Sequence, residues 1–445
     1  MIDIKDKIRG KIKKLQETGF FSIFIATILS KVVTFLGGII LVRILSKSDY
    51  GIYAYIKNCY SMLFIFNDFG ISFAALQYMT ESADNKEKQK QILKYSIKCC
   101  LLTSLVTGII ILVSPKFYPY KIGEAISIIP MLFLLPTISI LINLFSMVLR
   151  ANLENKKYAK LQIFTTIITY IVLIIFACVC GVRGAILSEY VYSIIILIYS
   201  VILAYQYIHN ILKNKKSEIT RKEKNGFIKY ALAGQLNDTM GSILLNVDIF
   251  LIGYMISIPE NIALYNAGAK IPYALTFLSN CVSIYITPYF IKHNKEIEWI
   301  KVNYKNLIKY CSIGFGVMCI ALVCLAKPIF MVVFGADYYD AIPIYRVLII
   351  GLFFTSAIKI PTANVLVSLR KINVNIISNI ICIIVNFVSN IAFIKFFGII
   401  GAAITTTITN IISATIYIIY LNRYIKKNYN EKNKGESRWS KIKRN

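Results

Sequence analysis

The sequence predicts an all-α integral membrane protein of about twelve transmembrane helices in two six-helix halves. Hydrophobic residues make up 57% of the 445-residue chain, and the mean hydropathy is +0.64, whereas soluble domains are roughly 45–50% apolar. The apolar residues fall in runs of about 20 residues or more, which is the length of a membrane-spanning helix. Hydrocarbon offers the backbone no hydrogen-bond partner, so runs of this length are expected to be helical.

Twelve apolar runs define the predicted spans. They are residues 19–45, 52–77, 93–114, 124–149, 159–180, 184–208, 228–256, 262–289, 306–326, 341–368, 373–394 and 399–421. Four prolines fall inside spans and predict kinks: Pro130, Pro136, Pro272 and Pro361. The predicted organisation is a first half, a cytoplasmic linker, a second half and a basic cytoplasmic tail, at residues 1–208, 209–227, 228–421 and 422–445.

The lysine and arginine residues predict the orientation of these spans. Of the 50, 38 lie in the termini and in alternate connections, and six lie in the remaining connections. Cytoplasmic loops of membrane proteins carry such an excess, so both termini are predicted to be cytoplasmic. The net charge of +28 is spread between spans, which predicts no nucleic-acid partner. The ten cysteines show neither disulfide nor metal spacing, and no cofactor or metal site is predicted.

An internal repeat supports the division into halves. The segment Gly-Val-Arg-Gly-Ala at 181–185 recurs as Gly-Ile-Ile-Gly-Ala at 398–402, and Gly-Ile-Tyr-Ala at 51–54 recurs as Ala-Leu-Tyr-Asn at 263–266. With an even number of helices in each half, the repeats are parallel, which is one architecture of alternating-access transporters. The alternative is chance similarity between isoleucine-rich segments.

Several short motifs together resemble one transporter family. They are Val-Arg-Ile-Leu at 42–45, Asp-Tyr-Gly-Ile-Tyr at 49–53, Asp-Phe-Gly at 68–70, Asn-Val-Asp-Ile-Phe-Leu-Ile-Gly at 246–253, Leu-Tyr-Asn-Ala at 264–267 and Phe-Gly-Ala-Asp-Tyr at 334–338. In order and spacing they resemble the bacterial polysaccharide (O-antigen-type) flippases of the multidrug/oligosaccharidyl-lipid/polysaccharide exporter superfamily. The resemblance covers nearly the whole chain.

The resemblance implies a V-shaped, alternating-access transporter in the bacterial cytoplasmic membrane. Its expected activity is to move a polyprenyl-pyrophosphate-linked oligosaccharide from the cytoplasmic to the outer leaflet, driven by a coupled ion or by the membrane potential. The implied partners are the lipid-linked oligosaccharide, membrane lipids, a polysaccharide polymerase and a chain-length regulator.

Ionisable residues inside spans supply the candidate binding groups, because each costs about 2.5–3.5 kcal/mol at a helix centre and is expected to face a cavity or a partner. A pyrophosphate needs fixed cations, which predicts a set of substrate-binding residues: Lys31, Arg43, Lys270, Arg346 and Lys359. Lys31 and Lys359 lie on polar helical stripes, with Thr27 and Thr34 and with Thr355 and Thr362 respectively. The alternative is that these stripes hold packed helices together.

Intramembrane carboxylates are the candidates for ion coupling, because burial moves a carboxyl group towards protonation near neutral pH. They are Glu189, Asp238 and Asp248. The alternative is structural pairing, for instance between Asp248 and Lys270 across a helical hairpin. Asp68 and Gly70 are interpreted as structural residues at the end of the second span.

Other functions are less consistent with the sequence. A Gly-rich phosphate-binding loop with Lys-Ser/Thr is absent, and both histidines lie at span ends, so the prediction is a secondary transporter and not an enzyme. A multidrug exporter of the same superfamily shares the topology but is expected to lack several intramembrane lysines. A membrane polysaccharide polymerase is expected to have a long outside loop, and the longest here is about fifteen residues.

Overall fold

The computed structural model describes residues 20–65, 67–82, 84–117, 122–213 and 219–442. Within these ranges the side chains at 20–21, 117, 210–213, 233–234, 236–238 and 431–442 are left undescribed. The described chain contains helices, turns and bends and no strand. The predicted all-α fold is therefore confirmed.

Eight helices of the described chain lie between Phe20 and Met255. They are α1 (Phe20–Ile44), α2 (Lys47–Phe64), α3 (Ile71–Glu81), α4 (Lys86–Phe117), α5 (Gly123–Ile128), α6 (Leu135–Ala151), α7 (Asn155–Lys213) and α8 (Arg221–Met255). A 3-10 turn, Ile129–Leu132, follows α5 and contains Pro130. The α5 and α6 segments meet at an angle of 50°, at the kink that the prolines of the fourth span predict.

Seven further helices complete the described chain. They are α9 (Pro259–Lys292), α10 (Ile297–Cys324), α11 (Ala326–Val333), α12 (Ile342–Phe354), α13 (Ile360–Ser368), α14 (Ile372–Phe397) and α15 (Ile399–Ile442). A 3-10 turn, Ala336–Ala341, precedes α12, and a π-helical turn, Thr355–Lys359, joins α12 to α13.

The chain divides into two compact units. Unit 1 comprises Met1–Ser242 and Ser257–Ala263, and unit 2 comprises Ile243–Ile256 and Leu264–Asn445. In unit 1 the helix α7 packs on α1 and α6, and in unit 2 the helix α15 packs on α12 and α14. Helix α8 contributes to both units, since the boundary falls between Ser242 and Ile243. The predicted six-helix halves stay a prediction.

The described chain has eight helices long and apolar enough to cross a membrane, or nine if the bent pair α5–α6 is one span. One of the eight, Asn155–His209 within α7, is 55 residues long, which is more than twice the roughly 20 residues that a bilayer requires. It contains a non-helical break at Cys180 and Gly181. The exact number of twelve spans stays a prediction.

The second predicted span, 52–77, is not one helix. Helix α2 ends at Phe64 and α3 starts at Ile71, because the Asp68 carboxylate accepts hydrogen bonds from the Ser72 backbone N–H (3.0 Å) and hydroxyl (3.2 Å). Gly70 has a φ of +75°, a left-handed conformation that favours glycine. A side chain there would also place its Cβ 2.0 Å from the Ala231 carbonyl oxygen.

A capping box starts helix α8. The Thr220 backbone N–H and hydroxyl donate to Glu223 Oε2 at 3.1 and 2.9 Å, and the Glu223 backbone N–H donates to the Thr220 hydroxyl at 3.4 Å. Lys88 Nζ, near the start of α4, lies 2.8 Å from Glu223 Oε1. The Lys88 ammonium and the Thr220 donors lower the pKa of Glu223 to about 2, so this carboxylate is charged at neutral pH.

Candidate functional site

Among the predicted site residues whose side chains the structure describes, the most buried carboxylate is that of Asp248 on α8, which is 1% exposed. Its oxygens accept hydrogen bonds from Asn390 Nδ2 at 2.8 Å, from the Tyr265 hydroxyl and from the Thr406 hydroxyl. These donors lie on α14, α9 and α15. All three are neutral, so the hydrogen bonds described for Asp248 orient the carboxylate without neutralising it.

The order of polar residues on α14 explains how its amides reach Asp248. Ser378, Cys382, Asn386 and Asn390 recur every four residues and are each at most 2% exposed, so they form one buried stripe along the helix. Asn390 Nδ2 also donates to Asn386 Oδ1 at 3.0 Å. The Asn390 Oδ1 atom and the Thr405 hydroxyl oxygen are buried without a hydrogen-bond partner among the described residues. The cluster therefore offers carboxylate, amide and hydroxyl oxygens.

A cavity of about 140 Å³ lies in unit 2 beside this cluster. Thr406 lines it as well as donating to Asp248. Lys359 is half-buried in its wall, where Nζ donates to Asn410 Oδ1 at 3.1 Å. The Thr355 hydroxyl oxygen, on the same wall, is buried without a hydrogen-bond partner among the described residues. The cavity thus combines one cation with hydroxyl and amide groups.

The π-helical turn positions Lys359 in that wall. Pro361 follows the turn and lacks a backbone N–H, so it cannot continue the ordinary helical hydrogen-bond ladder. The Ile360 N–H reaches the Thr355 carbonyl instead, and the Ser356 carbonyl accepts a hydrogen bond from the Ser279 hydroxyl at 2.7 Å. Single π-turns inside α-helices occur frequently at functional sites.

A second buried carboxylate, Glu189, lies in unit 1 and is 5% exposed. Lys57 Nζ donates to Glu189 Oε1 at 2.7 Å, and the Tyr192 hydroxyl donates to Oε2. Glu189 therefore belongs to an ion pair, in contrast to the neutral donors described around Asp248.

The structure places the other predicted site residues as follows. Lys31, Arg43 and Arg346 are exposed, and Lys270 is half-buried on α9. The Asp238 side chain lies outside the described residues. Asp68 caps α3 and also accepts a hydrogen bond from Asn143 Nδ2 at 3.1 Å. The structure thus brings Lys359 and Asp248 to the same region of unit 2.

The neutral members of this region were not predicted from the sequence: Tyr265, Asn386, Asn390, Thr406 and Asn410. Amides and hydroxyls inside spans are common as ordinary links between helices, so they indicate a binding site less clearly than ionisable residues do. The four-residue spacing of the polar positions on α14 was the available signal.

Comparison with known proteins identifies related chains. The sequence profile of a family described as polysaccharide biosynthesis protein matches residues 18–294, which is more than half of the chain. No curated protein sequence gives a significant match. The family match confirms the resemblance to polysaccharide-related proteins that the sequence motifs indicated.

Solved transporters share the fold. An inward-facing multidrug resistance MATE family transporter of the MOP superfamily matches with a TM-score of 0.68 and 14% identity, covering 90% of this chain and 96% of its own. The lipid II flippase MurJ, in an inward closed conformation, matches with a TM-score of 0.67 and 19% identity, covering 90% and 87%. An outward-facing MATE structure matches with a TM-score of 0.58 and 14% identity, covering 92% and 95%.

At these identities the matches establish the fold and leave the substrate open. The matched proteins are transporters and a flippase, in agreement with the prediction of a transporter rather than an enzyme. Together with the apolar helices they show a multi-pass membrane protein.

Proposed function

Because the chain belongs to the family of polysaccharide biosynthesis proteins, we propose that it is a flippase for a polyprenyl-pyrophosphate-linked oligosaccharide. It would move this lipid from the cytoplasmic to the outer leaflet of the bacterial cytoplasmic membrane, with both termini cytoplasmic. The proposed mechanism rests on one observation: the Thr406 side chain lines the Lys359 cavity and donates a hydrogen bond to the Asp248 carboxylate.

Asp248 is the proposed site of ion coupling. A buried carboxylate hydrogen-bonded by neutral groups gains from binding a proton or a sodium ion, because its charge is otherwise expensive in a medium of low polarity. Asn390 Oδ1, which is buried without a hydrogen-bond partner among the described residues, and the Thr406 hydroxyl are oxygen atoms of the kind that bind hard cations. Glu189 is the weaker candidate, since Lys57 already balances its charge. Asp238 stays a sequence-based candidate.

Lys359 is the proposed contact with the substrate pyrophosphate. It combines partial burial with an adjoining cavity, and an ammonium binds phosphate through charge and up to three hydrogen bonds. Lys31, Arg43, Lys270 and Arg346 remain proposed contacts along the substrate path. A polymerase and a chain-length regulator remain proposed protein partners.

Thr406 would link the two events. When Asp248 binds its ion, the Thr406 hydroxyl loses or weakens its present acceptor and is free to reorient towards the cavity. Ion binding would then change the polarity of the wall beside Lys359, which couples the affinities for ion and substrate reciprocally.

A transport assay in proteoliposomes tests the function. The substrate is a polyprenyl-pyrophosphate oligosaccharide with a headgroup fluorophore that external dithionite reduces. We expect a sodium or pH gradient to accelerate flipping by the parent protein, and Asp248→Asn to abolish that acceleration. Glu124→Gln, which removes an exposed carboxylate on α5, is the matched control and is expected to behave as the parent.

A binding assay in nanodiscs tests the cavity separately. Lys359→Gln is expected to weaken substrate binding at least tenfold, about 1.4 kcal/mol, while Lys359→Arg is partly tolerated and both variants melt like the parent. Efflux of a cationic drug without flipping of the lipid would favour the multidrug exporter. Normal flipping and ion dependence in Asp248→Asn would refute the coupling role of Asp248.

A further inference from the structure

A groove of about 440 Å³ opens between α10 and the extended α15 in unit 2. Three lysines line it: Lys301 and Lys305 on α10, and Lys426 on α15. Its apolar wall consists of Ile308, Ile418 and Ile425. The groove is therefore amphipathic, with cationic groups beside an aliphatic surface.

The lysines are arranged to act together on one anion. Lys301 and Lys305 are four residues apart and lie on the same face of α10. Lys301 Nζ lies 4.5 Å from the Tyr429 ring centroid, a cation–π contact that holds the ammonium at the groove. Neither Lys305 nor Lys426 has an ion pair or hydrogen bond within the part of the chain that the structure describes. Both are exposed and available.

Unit 1 contains a counterpart of this groove, with a volume of about 390 Å³. Lys86, Gln89, Lys90 and Leu93 on α4 line it. Each lies 215 positions before a residue that lines the unit 2 groove, namely Lys301, Tyr304, Lys305 and Ile308. A fortuitous crevice has no reason to recur at corresponding positions with the same pair of lysines, so the groove is a built feature of the repeat.

We propose that the unit 2 groove binds an anionic phospholipid of the surrounding bilayer, with its phosphate between the lysines and an acyl chain against the isoleucine wall. The lysines belong to segments that the charge distribution predicts to be cytoplasmic, where anionic headgroups attract clustered Lys and Arg. A free phosphate would satisfy the cations but leave the isoleucine wall uncovered, so the combination favours a lipid. This site is separate from the Lys359 cavity and from transport of the oligosaccharide.

Lipid titration with a melting readout tests the proposal on the full chain. Phosphatidylglycerol is titrated into the purified protein in detergent and the Tm is followed, with phosphatidylcholine and soluble glycerol phosphate as parallel arms. We expect phosphatidylglycerol to raise the Tm saturably and the other two to have little effect. Lys305→Gln/Lys426→Gln is expected to weaken the apparent affinity for phosphatidylglycerol about tenfold.

The matched control is Lys309→Gln/Lys427→Gln, which removes the same charge from exposed positions of α10 and α15 outside the groove. It is expected to bind like the parent. Equal losses in both double variants would mean that only net charge matters and would overturn the site. A Tm rise of the same size with glycerol phosphate would overturn the lipid assignment, and unchanged selective binding in Lys305→Gln/Lys426→Gln would overturn the proposal. Oligosaccharide flipping is not used, so failure here leaves the transport proposal untouched.

Discussion

Gly181 and Gly398, 217 positions apart, have the same unusual backbone conformation, with φ, ψ of 57°, −140° and 60°, −143°. Three residues later, a Cβ at Gly184 would lie 2.1 Å from the Phe176 carbonyl oxygen, and a Cβ at Gly401 would lie 2.1 Å from the Phe393 carbonyl oxygen. The two glycines in these contacts are 217 positions apart, and so are the two phenylalanines. The sequence repeat at this offset is therefore a structural repeat at the turn, one copy in each unit.

The first prediction concerns this turn. Positive φ with strongly negative ψ is essentially restricted to glycine, and another residue there costs about 1–3 kcal/mol. Gly181→Ala and Gly398→Ala are therefore each expected to lower the Tm in detergent. Gly314→Ala, at a helical site where a Cβ meets no atom within 4 Å, is the control and is expected to be neutral. Equal Tm values for all three variants would contradict the conformational argument.

The second prediction concerns orientation, which the lysine distribution suggests and the fold leaves open. Cys180 and Cys324 are exposed and lie at predicted outer span ends, whereas Lys222 is exposed in the predicted cytoplasmic linker. In single-cysteine variants, an impermeant maleimide is expected to label Cys180 and Cys324 on intact cells, and Lys222→Cys only after lysis. Labelling of Lys222→Cys on intact cells would invert the proposed orientation.

The third prediction is a pH dependence from Glu223. Its pKa is lowered to about 2 from the model-peptide value of 4.5, so it stabilises the fold fully above about pH 4.5 and the contribution is lost as the pH falls towards 2. Glu223→Gln is expected to lower the Tm only slightly at pH 7, because solvent screens the exposed ion pair with Lys88. The Tm difference should shrink as the pH falls below about 4.5 and vanish only below about pH 2. A difference that persists unchanged at that pH would exclude the charged carboxylate as its source.

The sequence was sufficient to predict the helical fold and two of the principal polar residues, because hydropathy and intramembrane charge are local properties. Asp248 and Lys359 stand out in any window of the chain. Asn390 and Thr406 do not stand out in this way, because amides and hydroxyls are common in packed helices. They also lie 142 and 158 positions from Asp248 in the sequence. Only the tertiary structure brings them to one carboxylate.

The break between α2 and α3 was missed for a related reason. Residues 52–77 are apolar enough to read as one span, and a hydropathy average does not register a single capping carboxylate. From the sequence, Asp68 and Gly70 are interpreted as structural residues at the end of the second span. Their position between two helices depends on hydrogen bonds to Ser72 and Asn143, and Asn143 lies on another helix.

The fourth prediction concerns Glu189, which either forms a structural ion pair with Lys57 or binds the coupling ion. Lys57 Nζ and Glu189 Oε1 are 2.7 Å apart, with the side chains 33% and 7% exposed. Removing one partner of a buried pair leaves an uncompensated charge, whereas replacing both by apolar residues is often neutral or stabilising. Because Lys57 is partly exposed, we expect Lys57→Met alone to cost about 1–3 kcal/mol, somewhat less than for a fully buried pair.

The double variant Lys57→Met/Glu189→Leu is therefore expected to melt at a higher temperature than Lys57→Met and close to the parent, and to retain ion-dependent flipping. A thermal melt and the proteoliposome assay on the same preparations measure both properties. If the double variant is no more stable than Lys57→Met, charge balance is not what the pair provides. If it melts like the parent but flips lipid without ion dependence, Glu189 carries the coupling ion, and the assignment to Asp248 alone is wrong.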